Sequence, residues 1–260
     1  MLRFKSLGSG SSGNATVVES STKGKPVTRL LVDCGLNQRE LVRRLAVAGL
    51  QPNDIDAIFI THEHGDHIGC ARAFALRYRI PVWMSRGTHT AIKNPDFEDL
   101  LAVACDGLPI EIGGLQLLPF TVPHDAREPL QLICTDGNQG RLGILTDLGH
   151  STPHVLAHLA GCTALLLESN HDCDLLMQSA YPVFLKERVG GLYGHLSNQI
   201  AAEIAVAVAS PVLRHLVAAH LSVQNNSPEH VRFSLSTAIK CRGNDIIVAT
   251  PDEGSEWLQA

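Results

Sequence analysis

The chain has 260 residues, a formal net charge of −5, 45% hydrophobic residues and 18% charged residues. That balance builds a buried core and excludes disorder and collagen-like repeats. It argues against a broad electrostatic grip on nucleic acid, and no apolar run is long enough to span a membrane.

In chain order, strands are predicted over 3–7 and 15–19 around a Gly/Ser turn, and a third over 28–33 ending in Asp33. An amphipathic helix follows over 37–48, with Gly49 as its stop. A buried strand over 56–60 leads into Thr61-His62. A helix over 68–78 and a strand over 80–84 come next. The middle predicts strands over 115–122, 130–135 and 142–146, then a helix over 152–159 with Pro153 in its first turn. The remainder reads as strand 164–168, helix 197–210, strand 215–220, helix 227–239 and strand 246–249. Two sheets packed face to face with helices outside are expected, as one domain over 1–260 with a site at one edge.

The start, Met1-Leu2-Arg3-Phe4-Lys5, has no apolar signal core. Seven cysteines without a Cys-x-x-Cys pair predict reduced thiols in a cytoplasm. Thirteen histidines are more telling, because of where they fall. Thr61-His62-Glu63-His64-Gly65-Asp66-His67 crowds three imidazoles and two carboxylates after a buried strand. Ligands at n, n+2, n+4 and n+5 of a loop can converge on two centres, and imidazole with carboxylate suits Zn²⁺, Mn²⁺ or Fe. Packing alone does not ask for such a cluster, because burying it without metal strands polar groups. Asp33, His124, Asp147 and His220 each follow a predicted strand. Alone, any of them is an ordinary turn residue; together they are candidate ligands.

The order His-x-His-x-Asp-His, His124, Asp147, His220 resembles the metallo-β-lactamase superfamily over essentially the whole chain. The resemblance implies an α/β fold, the αββα sandwich of two mixed β-sheets flanked by helices, with two divalent metal ions at its edge. By that resemblance, His62, His64 and His124 hold one metal, and Asp66, His67 and His220 the other. Asp147 bridges them, and Asp33 supports the histidine loop from behind. Two adjacent cations lower the pKa of a bridging water, so that hydroxide is available at neutral pH.

Three segments narrow the branch. Residues 6–14 (SLGSGSSGN) set glycine amides and hydroxyls where an anion could sit; Ser9, Ser11 and Asn14 are candidate substrate contacts, although a plain hairpin turn reads equally well. Residues 165–172 (LLLESNHD), followed by Gly194-His195-Leu196-Ser197-Asn198, resemble ribonuclease Z-like phosphodiesterases. That implies a general acid, His195, oriented by Glu168, with Asn170 and Ser197 near substrate. Residues 219–229 (AHLSVQNNSPE), taken with the other two, are similar to the YycJ/WalJ-like group of bacterial proteins. This implies 5′→3′ exonuclease action on DNA, with PhnP-like cyclic phosphodiesterases as near relatives. The chain is too short for an added β-CASP domain and lacks the long arm of tRNA-processing relatives.

The expected function is a two-metal phosphodiesterase, a 5′→3′ DNA exonuclease, acting on duplex DNA ends or on a small nucleotide. Alternatives are a PhnP-like small-nucleotide phosphodiesterase, a glyoxalase II-like thioester hydrolase and a metal-binding partner protein without turnover. Aromatic residues are only 5%, and no stacking platform stands out. Lys186 and Arg188, between Glu168 and His195, are the better phosphate contacts among the basic clusters. A homodimer, common among relatives, has no sequence feature to show it. His150, His154 and His158, four apart, are read as an exposed helix face rather than a third metal site.

Overall fold

The structure is a computed structural model that describes residues 1–21, 24 and 26–260. One sheet contains β1 (Leu2–Gly8), β2 (Ala15–Ser20), β3 (Thr28–Val32), β4 (Ala57–Phe59), β5 (Val82–Met84) and β6 (Leu101–Val103). The other contains β7 (Ile110–Ile112), β8 (Leu115–Thr121), β9 (Leu130–Thr135), β10 (Arg141–Leu145), β11 (Ala164–Glu168), β12 (His215–Ala219) and β13 (Ile246–Val248). β14 (Leu258–Gln259) closes the first sheet on the far side of β1. Each sheet is mixed: β1–β3 and β7–β10 pair antiparallel, while β3–β6 and β10–β13 pair parallel.

The alternation of each strand explains the layering. On β3, Leu30 and Val32 enter the central core, while Leu31 enters an outer one. On β11, Ala164 and Leu166 face the central core, and Leu165 and Leu167 the other side. Strands apolar on both faces must be covered on both faces. The outer layer of the first sheet includes α1 (Gln38–Val47), α2 (Gly65–Ile68) and α3 (Ala71–Tyr78), and α4 (Arg86–Ala91) follows β5. On the second sheet lie α5 (Pro153–Leu159), α8 (Asn198–Val208) and α9 (Pro228–Ile239). Between α5 and α8, the chain makes α6 (Cys173–Gln178) and α7 (Val183–Val189). This is the expected αββα sandwich.

Several predicted boundaries are caps. Asn37, Thr152, Ser197 and Ser227 precede α1, α5, α8 and α9, and each side chain accepts a hydrogen bond from a first-turn N–H. The predicted helix over 68–78 is broken instead. Gly69 has φ +30°, and a Cβ there would come 2.4 Å from the Cys34 carbonyl oxygen. β6, β7, β14 and the short helices α4, α6 and α7 had no usable periodicity. His150 lies before α5 rather than on it, so the three histidines do not share one helix face. His158 stacks on Phe120 with centroids 4.7 Å apart.

Candidate metal centre

β8 and β10 are both antiparallel to β9, so they run the same way, as do β11 and β12. The carboxyl ends of these strands therefore lie at one edge. Asp33, Asp147 and His220 each stand one or two residues past a strand end, in the left-handed backbone region, with φ of 63°, 55° and 55°. That conformation costs a non-glycine residue on the order of 1 kcal/mol. It breaks the strand alternation where the chain reaches the edge. Gly35 permits the histidine loop to lie against it: a Cβ there would fall 1.7 Å from the Asp66 carbonyl oxygen. Asn14 N–H donates to that oxygen (2.8 Å), and Cys34 N–H donates to the His67 carbonyl (2.8 Å).

The side chains meet in overlapping groups. His62, His64 and His124 bring nitrogen atoms within 4.8 Å of one another. Asp66, His67 and His220 do likewise, and so do His62, His67 and Asp147. A further group joins Asp147, Glu168, His195 and His220. Asp147 thus belongs to groups on both sides. Its carboxylate lies 3.2 Å from His220 Nδ1 and 3.0 Å from His195 Nδ1, and contacts His67 Nε2.

Three observations fit this set to divalent cations. His62 Nε2 and both Asp147 oxygens are buried and have no partner with hydrogen-bond geometry among the described residues. Stranded buried groups of this kind cost about 1–3 kcal/mol each. Imidazole and carboxylate are the donors that Zn²⁺, Mn²⁺ and Fe take. Burial, reinforced by the crowding of His67, holds the His62 imidazole well below its ordinary pKa, which keeps it an unprotonated ligand. Burial also lowers His124. In Asp147, burial would raise the pKa, but the surrounding imidazoles of His220 and His67 outweigh it and hold the group well below the carboxylate range.

A surrounding layer positions these groups. Asp33 accepts from Thr61 N–H at 2.9 Å and meets His67 Nδ1 at 2.7 Å. Asn14 amide nitrogen lies 3.0 Å from His67 Nε2. Ser9 Oγ accepts the His220 backbone N–H (2.8 Å), and the Asn170 amide donates to the His220 carbonyl (2.9 Å). Ser197 caps α8. Of the five expected substrate contacts, Ser9, Asn14, Asn170 and Ser197 are buried in these contacts, and Ser11 is exposed.

Glu168 is fully buried at the end of β11. Its Oε1 is 2.7 Å from His195 Nδ1, while Oε2 takes the N–H groups of Leu148 and Leu196. Burial would lower the His195 pKa, but the Glu168 and Asp147 carboxylates outweigh it and raise it well above the ordinary value. His195 Nε2 makes no hydrogen bond among the described residues, and its side chain keeps 20% exposure.

Sequence reasoning passed over Asp125 and gave Glu63 no role of its own. Asp125 lies 3.3 Å from His124 Nε2 and 3.7 Å from His64 Nε2, and Arg188 holds it at 2.7 Å. Its place directly after His124 was the available signal. Glu63 accepts from Arg127 N–H at 2.7 Å, tying the histidine loop to 125–128. Cys70 is the N-cap of α3, and burial pushes its thiol up to about 11, which suits packing rather than ligation.

Comparison with known proteins bears on the family and the fold. The exodeoxyribonuclease YycJ of Bacillus anthracis is 32% identical over 248 residues, which is 93% of this chain and 90% of that protein. The metallo-beta-lactamase fold protein YhfI of Bacillus subtilis superposes with a TM-score of 0.76 at 14% identity, covering 100% of this chain and 99% of that one. A diphosphatase from the PhnP family gives a TM-score of 0.67 at 17% identity, covering 100% and 97%. The description of the metallo-beta-lactamase superfamily matches residues 8–167. With the strand-end ligand geometry and a relative of this identity along nearly its full length, the chain belongs to the metallo-beta-lactamase superfamily.

Proposed function

We propose that this metal-dependent hydrolase is a phosphodiesterase that removes nucleotides from DNA ends in the 5′→3′ direction. The observation that carries the reading is the Glu168–His195 pair, set against Asp147 at 3.0 Å. A thioester hydrolase has no use for a buried carboxylate holding a partly exposed imidazole at the metal edge. A phosphodiester does, because its leaving alkoxide needs a proton. The Bacillus anthracis relative carries the name of an exodeoxyribonuclease, which supports DNA as the substrate.

His62, His64 and His124 would hold one cation, Asp66, His67 and His220 the other, with Asp147 between them. Two divalent ions held there, Zn²⁺ or Mn²⁺, would make hydroxide available at neutral pH and would offset charge on the phosphate. Glu168 fixes the His195 tautomer through Nδ1, so that Nε2 carries the proton delivered to the leaving oxygen. Asp33, Asn14 and Asn170 keep the ligands in register. A single domain over 1–260 and a cytoplasmic setting complete the reading.

The test is digestion of end-labelled duplex DNA with Mn²⁺ or Zn²⁺, comparing 5′-phosphate and 5′-hydroxyl ends and the Asp66→Ala variant. Stepwise loss from the 5′ end, abolished by Asp66→Ala, is the expected result. Hydrolysis of an aryl phosphodiester with intact DNA would move the reading to a small-nucleotide phosphodiesterase. Thioester turnover with both phosphodiesters untouched would reject it.

A further inference from the structure

Beside the metal edge stands a segment whose apolar residues enter no core. α7 buries none of its residues. Val183 and Phe184 are 70% and 71% exposed; Leu192 and Tyr193, just ahead of His195, are 68% and 60% exposed. A surface helix usually stays in place by burying an apolar stripe. This one is anchored through polar contacts instead. Lys186 donates to the Met177 carbonyl (2.6 Å), Arg188 to Asp125 (2.7 Å), and His195 N–H to the Val189 carbonyl (2.8 Å). Asp125 N–H in turn donates to the Tyr193 carbonyl at 2.9 Å. The backbone is thereby tied to the site while Phe184 stays exposed and the Tyr193 ring, edge-on to His150 with centroids 6.4 Å apart, keeps most of its surface open.

The placement is specific. Phe184 and Arg188 are four residues apart on one helix, so they share a face. Asp125, which holds Arg188, is 3.3 Å from His124 Nε2. Tyr193 is two residues from His195. Two exposed aromatic residues and a half-exposed guanidinium therefore lie within the segment that leads to His195, although aromatic residues make up only 5% of the chain. Flat apolar faces next to a cation, continuous with a site for phosphodiesters, match an occupant made of flat bases strung on phosphates.

We propose that Phe184, Tyr193 and Arg188 form a platform for the terminal nucleotides of a DNA strand. The rings stack on unpaired bases, and the guanidinium meets the adjoining phosphate. The inference rests on the nuclease reading and adds to it how the strand is held: the terminal bases leave the duplex stack before cleavage. In the sequence alone, with 5% aromatic residues, no stacking platform stood out.

The test keeps the metal-loaded protein and uses a short, 5′-phosphorylated single strand with 2-aminopurine as its terminal base and phosphorothioate linkages that resist cleavage. Quenching of the 2-aminopurine reports stacking, and anisotropy of a distal dye reports binding. Phe184→Ala and Tyr193→Ala should each weaken binding about 5- to 100-fold and reduce the quench. Arg188→Gln should weaken binding and reduce the salt slope by about 0.7. Hydrolysis of an aryl phosphodiester by the two aromatic variants should match the wild type.

Unchanged binding and quench in the double variant Phe184→Ala/Tyr193→Ala would overturn the platform, as would a wild type that does not bind the strand. So would a sedimentation mass that drops from dimer to monomer on that double substitution, since the patch would then belong to a second copy of the chain. A strand that binds and quenches but, with ordinary linkages, is never cut rejects the nuclease reading and leaves the platform standing. Cleavage that is indifferent to both aromatic residues rejects the platform alone.

Discussion

His195 Nδ1 stands 2.7 Å from Glu168 Oε1, and the other oxygen of that carboxylate receives the backbone N–H groups of Leu148 and Leu196. The carboxylate is thus fixed from two sides before it orients the imidazole. If His195 delivers the proton to the leaving oxygen, its value depends on how poor that leaving group is. His195→Ala should lower DNA cleavage about 10²- to 10⁴-fold and spare a nitrophenyl leaving group, which departs without a proton. Equal losses on both substrates, with metal content intact, would assign His195 a purely structural place. Glu168→Gln should follow His195→Ala in direction with a smaller loss.

Asp147 touches three imidazoles and belongs to ligand groups on both sides of the site. Elemental analysis of the purified protein should find two divalent ions per chain, and Asp147→Ala at most one. Because a ligand that binds only the folded state stabilises it, chelation should lower Tm by about 5–10 °C. A chelated protein with unchanged Tm and two retained ions in Asp147→Ala would contradict the bridging role.

Asp33 combines a left-handed backbone (φ 63°) with a 2.7 Å contact to His67 Nδ1. Asparagine tolerates that backbone; alanine does not. Asp33→Asn therefore isolates the lost charge, and should weaken metal affinity about 10- to 100-fold at nearly unchanged stability of the fold. Asp33→Ala adds a backbone cost of about 1 kcal/mol. Calorimetric metal titration of both variants separates the two effects. Equal metal affinity in Asp33→Asn and wild type would show that the carboxylate does not act through His67.

Away from the site, Glu19 lies between Arg3 (2.6 Å) and Arg29 (2.7 Å). Burial would raise its pKa, but the two guanidinium hydrogen bonds outweigh it and lower the pKa. A carboxylate lowered on folding stabilises above its unfolded pKa of about 4.3 and loses that stabilisation as pH falls through the folded value. Glu19→Gln should cost about 1–3 kcal/mol at pH 7 by urea denaturation. The gap to the wild type should close as pH falls through the lowered folded value, where the carboxylate takes up its proton. A gap independent of pH would mean that shape, not charge, matters there.

The candidate metal ligands stood out in the sequence because they follow strands that are apolar on both faces. Ile58, Leu145, Leu167 and Ala218 leave no doubt about burial, so the His and Asp residues that come next stand out. The N-caps Asn37, Thr152, Ser197 and Ser227 were legible for a local reason: each satisfies an N–H of its own helix.

The sequence by itself determined the layering of the sandwich, the caps and which His and Asp residues are candidate ligands, since period-2 apolar alternation and capping are local properties of the chain. Tertiary structure decided the rest. The break at Gly69 exists because Cys34 and Gly35, more than thirty residues earlier, pack against it. Ser9 and Asn14, expected as substrate contacts, were brought against His220 and His67, and Asp125 came to lie against His64. Phe184 and Tyr193 read like any apolar residues in a chain poor in aromatics, and only the packing leaves them exposed on the segment that leads to His195. Burial and proximity between distant segments are set by how the two sheets meet, and no local pattern encodes that.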